Sequence, residues 1–381
     1  LRRDRSDLPI LMQICFVRRQ VWGLFLIRIC VFGPGERKES VIFCCGSLPT
    51  LNSISPTVTG RNLRKLSFNA RSKNLPAANA GSEQLSLRAY AMSDDLKQRV
   101  VTAVVLLVAL IALTLLTTPL AFAAVVAVII MLAAWEWGAF AQFEGVALRL
   151  FYTLSVLIAL VGAAALSGFW SSAESFTLFR VILILCFGVL WWCIAACLLV
   201  GYPENSACWN HKFTISLMGL LALVPTWTGL VALKVVLPSG YLVLGVVIAV
   251  AGVDVGAYFA GRYLGNRPLA PSVSPKKTWE GVWGGFATCC AVSAVLVWAA
   301  QRDLLELSSA QILVLLLSCI TTTPFAVIGD LVESMLKRNS DLKDSGSILP
   351  GHGGVLDRVD GLLAVAPSSV LILLLVLDWA R

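Results

Sequence analysis

From Val100 onward the chain is a succession of apolar runs separated by short polar stretches. A helix that crosses a bilayer needs roughly 20 mostly apolar residues. The runs near 100–117, 120–138, 150–168, 180–200, 213–232, 241–260, 283–300, 311–328 and 361–378 meet or approach that length. The pattern predicts an all-α, polytopic integral membrane protein with about nine transmembrane helices. Only Thr117-Thr118-Pro119 separates the first two runs, so the count turns on that boundary. Trp135, Trp137, Trp191 and Trp192 fall near run ends, where interfacial aromatics gather. No internal repeat is evident, which speaks against a transporter built from inverted repeats.

Residues 1–91 follow no such pattern. They are rich in Arg, Ser, Asn and Pro, and Arg18, Arg19 and Arg28 interrupt their partly apolar stretch. Three readings fit: an organelle transit peptide, a disordered basic arm, or upstream sequence that is not normally translated. Met92, followed by a short polar segment and the first run, reads as a start and favours the third. The expected division is a disordered or non-native extension over 1–91, with no fold, and a membrane-embedded domain over 92–381.

Composition agrees with a membrane chain. Of the 381 residues 58% are hydrophobic and 14% charged, against about 25% charged in soluble domains, and the mean hydropathy is +0.82. The net charge of +8 reads as positive loops on one membrane face, not as nucleic-acid binding. There are eleven Cys, most of them in apolar runs, no CxxC pair and two His. Neither a zinc site nor a disulfide framework is expected. One set of loops carries Lys97, Arg99, Arg149, Lys212, Arg262, Arg267, Lys276, Lys277, Lys337, Arg338, Lys343 and Arg358. The opposite set carries Arg180, Lys234, Arg302 and Arg381. The richer set should face the cytoplasm, together with the two longest polar stretches, 261–281 and 329–360.

Those stretches hold the candidate chemistry. Asp330, Ser334, Lys337, Arg338 and Asp341 recur at helical spacing and should share one face at the end of a span. Lys343 and Asp344 follow in a turn-rich piece, and then Pro350-Gly351-His352-Gly353-Gly354 forms a glycine loop whose N–H groups can approach an anion. Asp357, Arg358 and Asp360 open the last apolar run. A helix beginning near Val355 would turn its positive end toward phosphate or carboxylate. Carboxylates, cations and a glycine loop are what phosphoryl and nucleotidyl transfer need, with Mg²⁺ bridging carboxylates and substrate phosphates. A solvated positive loop would explain the Lys and Arg alone. It leaves Asp330 at a span edge and the aspartates opening another span unexplained.

A second constellation surrounds the sixth run. Asp254 lies well inside it and should face a polar cavity. Gly252, Gly256 and Gly261 permit close helix approach. Arg262 ends the run, and Ser274, Lys276, Lys277 and Thr278 follow in a loop where two cations suit an acidic lipid or its headgroup plane. Glu280 reads as a local hydrogen-bonding group. His211 is assigned no role. For His352 a base, a phosphate donor and a structural hydrogen bond all remain open.

The stretch Ser334-x-Leu336-Lys337-Arg338-x4-Lys343-Asp344-x-Gly346-x2-Leu349-Pro350-x-His352-Gly353-Gly354-Val355-x-Asp357-Arg358-Val359-Asp360 resembles, without departure, the signature of phosphatidate cytidylyltransferases, or CDP-diacylglycerol synthases. Gly329-Asp330-Leu331, DVGAYFAGR, SPKKTWEG, LKQRV and AAWEW are also similar to that family, nearest its bacterial members. The resemblance covers the chain from about Met92 on. It implies that CTP and phosphatidate give CDP-diacylglycerol and pyrophosphate in phospholipid biosynthesis, on a fold of about nine spans that is often a homodimer. It implies Mg²⁺ and a monovalent cation such as K⁺, with the metal carboxylates falling on Asp330 and Asp357. Lys337, Arg338, Lys343, His352 and Arg358 would then contact phosphates. Asp344, Asp360 and Asp254 would complete the polar cavity. Arg262, Ser274, Lys276, Lys277, Thr278, Ser334, Gly353 and Gly354 would line the substrates. The implied location is the bacterial inner (cytoplasmic) membrane, active site on the cytoplasmic face, rather than a plastid or other organelle membrane.

Overall fold

The computed structural model describes residues 26–33, 36–43, 101–169, 177–303, 306–349 and 353–378. Two units are distinguished, residues 1–75 and 76–381. In the first, β1 (Leu26–Gly33) and β2 (Glu36–Phe43) pair antiparallel, with Leu26 opposite Phe43 and Gly33 opposite Glu36. Ile27, Ile29 and Val31 at alternate positions of β1 suit a strand.

The second unit is helical. Its helices are α1 (Val101–Leu116), α2 (Pro119–Phe140), α3 (Val146–Ser167), α4 (Leu178–Val200), the short α5 (Ser206–Trp209), α6 (Lys212–Val236), α7 (Tyr241–Leu264), α8 (Trp279–Asp303), α9 (Ser309–Leu317), α10 (Cys319–Asn339) and α11 (Leu356–Asp378). Among the described residues eight segments are long and apolar enough to span a membrane, α9 and α10 counting as one, and α1 is a shorter apolar helix. The polytopic, mostly helical reading therefore holds, with eight long spans and one shorter helix where about nine spans were expected. Thr118 separates α1 from α2 by capping α2, its hydroxyl accepting from the Ala121 N–H at 3.3 Å, with Pro119 in the first turn.

Two helices form the centre. In α6 and α11, 72% and 61% of the apolar window is buried, against 22–39% in the other spans. The outer helices turn Phe151, Ile158, Phe179 and Phe187 outward, as a hydrocarbon solvent permits. Prolines knit the centre together. Pro367 leaves the Leu363 carbonyl, one turn earlier, without its helical donor. The Thr226 hydroxyl of α6 donates to that carbonyl at 3.0 Å. Gly188 of α4 packs directly on Pro225 and Pro367, where a Cβ would have no room.

Trp137, Trp191 and Trp192 are not interfacial. They are 2%, 5% and 2% exposed and pack inside the bundle, with Trp137 Nε1 donating to the Ile215 carbonyl at 2.8 Å. Position along a run does not say which way a ring points, and these rings point inward. Exposed aromatics do cluster where α7 ends and α8 begins, with Tyr258, Phe259 and Tyr263 on α7 and Trp279 and Trp283 on α8.

α7 and α8 form the tightest helix pair, with Gly256 and Gly284 at the crossing in backbone contact. The loop between them is not plain coil. β3 (Pro268–Ala270) pairs with β4 (Ser274–Thr278), and α8 begins directly after it. Glu280 has the local role expected, accepting the N–H groups of Asn266 and Arg267 at 3.1 and 3.2 Å. The polar stretch 329–360 is also partly helix. The 31-residue α9–α10 segment runs to Asn339, about 46 Å at 1.5 Å per residue. That exceeds the roughly 30 Å hydrocarbon core, so the last turns of α10 carry charge beyond it.

Candidate active site

One end of the bundle gathers the C-terminal ends of α2, α7 and α10 and the N-terminal ends of α8 and α11. Gly329 makes this possible, because a Cβ there would run into the Asp360 carbonyl and crowd Ala364. With hydrogen instead, α10 lies against α11 and the carboxylates of Asp330, Glu333 and Asp360 converge. Each offers an oxygen, and all three oxygens lie within 4.8 Å of one another. Glu333 is 5% exposed and its Oε1 has no protein partner. An orphaned buried carboxylate oxygen beside two other carboxylates fits a hard divalent cation such as Mg²⁺.

Lys277 of β4 forms an ion pair with Asp330, so the hairpin and α10 meet as the two polar stretches suggested. Ser334 Oγ donates to Asp330 Oδ1 at 3.4 Å. Asp254 of α7 is exposed and lies within electrostatic reach of Asp330, Lys277 and Asp360. On the other side of the cluster, Lys337 Nζ bridges Glu333 Oε2 at 2.9 Å and Asp357 Oδ1 at 2.7 Å.

Asp357 stands apart from the cluster, one ammonium group away. Its Oδ2 accepts from the Ser345 N–H at 3.0 Å, the Ser345 hydroxyl at 2.9 Å and the Gly354 N–H at 2.9 Å. The Gly354 N–H, expected to meet a substrate anion, thus meets the protein's own carboxylate. Gly353 adopts φ 82° and pairs with Leu349 across the loop. His352 lies outside the described residues.

The remaining expected residues sit around this core. Arg338, Lys343, Asp344 and Arg358 are exposed at the α10–α11 corner. Asp341 leaves the α10 face, because the helix ends at Asn339 and Asp341 turns to φ 55°. Lys276 is exposed and Ser274 half-buried on β4. The Thr278 hydroxyl accepts the Gly281 N–H at 3.2 Å and so caps α8. Arg262 donates to the Tyr258 hydroxyl at 2.7 Å on the outer side of α7.

Two residues at this end escaped the sequence reading. Glu333 lies three residues after Asp330 and four before Lys337, a spacing that places it beside both. Glu136 is a carboxylate inside an apolar run, a signal of function in its own right. Its oxygens accept the N–H groups of Val355 and Leu356 at 3.0 and 2.9 Å. At the α10–α11 crossing itself, the Asp330–Glu333–Asp360 cluster meets only the cations of Lys277 and Lys337 among the hydrogen bonds and ion pairs described, so the cluster carries more carboxylate than cation.

The sequence profile of the cytidylyltransferase family matches residues 97–376. The chain belongs to that family. Among similar cytidylyltransferases, the phosphatidate cytidylyltransferase of Pseudomonas aeruginosa is 37% identical over 272 residues, covering 71% of this chain and 94% of the relative. That of Haemophilus influenzae is 35% identical over 279 residues, covering 71% and 96%. That of Bacillus subtilis is 43% identical over 128 residues, 34% of this chain and 45% of the relative. A cytidylyltransferase must bring a nucleoside triphosphate and an acceptor to one centre. The cluster at the α10–α11 crossing has the carboxylates and cations for that task.

Proposed function

We propose that this chain is a phosphatidate cytidylyltransferase, joining the CMP unit of CTP to phosphatidate with release of pyrophosphate. The observation that carries the reading is the Asp330–Glu333–Asp360 cluster, flanked by Lys277 and Lys337, at the polar end of a membrane bundle in a chain of this family. A phosphatidate oxygen attacks the α-phosphorus of CTP. A new P–O bond forms as the bond to the bridging oxygen of pyrophosphate breaks. The nucleophile is already an anion, so no covalent enzyme intermediate is required.

Asp330, Glu333 and Asp360 would hold Mg²⁺. When bound, the ion supplies charge neutralisation for the triphosphate and its leaving group. Lys277 and Lys337, now paired with carboxylates at the cluster, are placed to take up phosphate oxygens. Arg338, Lys343 and Arg358 at the exposed corner give the approach a positive field for CTP. Asp357 keeps Lys337 oriented, and its own ligation of the ion would require it to exchange that partner. A second, monovalent ion such as K⁺ has no further carboxylate cluster among the described residues.

The basic loops at the site's end argue for a cytoplasmic face of the bacterial inner membrane, and an apolar bundle gives phosphatidate access from the bilayer. A homodimer accords with the exposed apolar faces, although a lipid solvent accounts for them as well. Residues 1–91 are proposed to be dispensable for turnover. The test is pyrophosphate release from CTP by purified protein in detergent. Release that requires both phosphatidate and Mg²⁺, with a CDP-lipid product, is expected. A folded preparation that releases none sinks the proposal.

A further inference from the structure

Glu136 is 2% exposed in the middle of Ala-Ala-Trp-Glu-Trp on α2. Its two oxygens accept the Val355 and Leu356 N–H groups at 3.0 and 2.9 Å. These donors stand at the N-terminus of α11, Val355 just before it and Leu356 its first residue, where the helix offers them no acceptor and its dipole favours a carboxylate. Glu136 therefore caps α11 from another helix, more than two hundred residues away in sequence. The Ser345 hydroxyl stands between the two carboxylates, 3.2 Å from Glu136 Oε2 and 2.9 Å from Asp357 Oδ2, and its single proton is within reach of either. Side-chain carbon is absent where the carboxylate is held: a Cβ at Gly346 would overlap Glu136 Oε1, and one at Gly354 would overlap the Ser345 hydroxyl.

The first turn so held carries Asp357, and Asp360 follows one turn later. We infer that Glu136 is a positioning residue for this centre: by clamping the start of α11 and sharing Ser345 with Asp357, it sets where Asp357 and Asp360 stand relative to Asp330 and Glu333. The inference rests on the proposed cytidylyltransferase centre. Glutamine at 136 keeps the shape but replaces one acceptor oxygen by an amino group, which faces an N–H it cannot accept. One end of the clamp opens and α11 is free to shift.

The test compares the full chain with Glu136→Gln, Ser345→Ala and the double variant. Two readouts are taken, the Mg²⁺ dependence of CDP-lipid formation and Mn²⁺ binding by electron paramagnetic resonance without substrate. Glu136→Gln should weaken metal binding and raise the Mg²⁺ half-saturation by roughly 10–100-fold, as loss of a group that orients metal ligands does. Ser345→Ala should shift both in the same direction by less. The double variant should be at least as impaired as Glu136→Gln, because Ser345→Ala also removes the hydroxyl that Asp357 accepts. A folded Glu136→Gln or Ser345→Ala protein with unaltered Mn²⁺ affinity and Mg²⁺ half-saturation overturns the inference. If Glu136→Gln yields no folded protein, the Ser345→Ala result decides alone. Wild-type protein that binds Mn²⁺ but makes no CDP-lipid would refute the reaction, and the Mn²⁺ titrations would still judge the positioning role.

Discussion

Replacing Lys337 by methionine tests the charge arrangement most directly. Lys337 has only 14% of its side chain exposed, and its ammonium group sits between Glu333 at 2.9 Å and Asp357 at 2.7 Å, whose side chains are 5% and 10% exposed. Methionine preserves the length and the apolar stem while removing the charge. Two nearly buried carboxylates then face each other without a cation. Breaking a buried ion pair from one side costs about 3–5 kcal/mol, because the abandoned charge stays desolvated. The apparent melting midpoint in detergent should fall on the order of 10 °C, and CDP-lipid formation should fall by at least about 100-fold. Adding Glu333→Gln removes one of the orphaned charges. It should return about 1–3 kcal/mol of the lost stability but no activity, since Glu333 belongs to the metal cluster. A Lys337→Met protein that melts like the wild type would refute the reasoning, as would a double variant less stable than the single one.

Three further outcomes are expected. Asp330→Asn and Asp360→Asn should each nearly abolish pyrophosphate release while the protein still inserts, and chelation of Mg²⁺ should do the same to the wild type; near-normal turnover in either variant removes that residue from the metal cluster. Lys277→Ala should cost far more activity than Lys276→Ala, because only Lys277 pairs with Asp330, and equal losses would mean that the hairpin acts through net charge alone. Gly329→Ala should destabilise by about 1–3 kcal/mol and lower turnover with it, since the added carbon pushes α10 off the Asp360 carbonyl; an unchanged melting midpoint would show that the crossing is looser than described.

Much of the site was legible because charge in a membrane chain is rare. Asp330, Lys337, Asp357 and Asp360 stand out against apolar surroundings, and their spacing already put Asp330 and Lys337 on one helix face. The same spacing misplaced Asp341, because periodicity does not show where a helix stops. Glu333 and Glu136 were passed over although each is an ionisable group in or beside an apolar run. Glu333 falls just before the recognised stretch that starts at Ser334. Glu136 has its partners at Val355 and Leu356, which no local pattern connects to it.

The sequence by itself determined the polytopic character and rough limits of the spans, the basic end of the bundle and the family. A bilayer imposes run length on each span separately, and the signature is contiguous. Only the tertiary structure decided which carboxylates meet. Gly329 brings Asp330 and Glu333 to Asp360, Lys337 separates that cluster from Asp357, and α2 reaches across to cap α11. Those choices depend on how helices cross and which way side chains point. Both are properties of packing between distant segments, and the order of residues within one span does not reveal them.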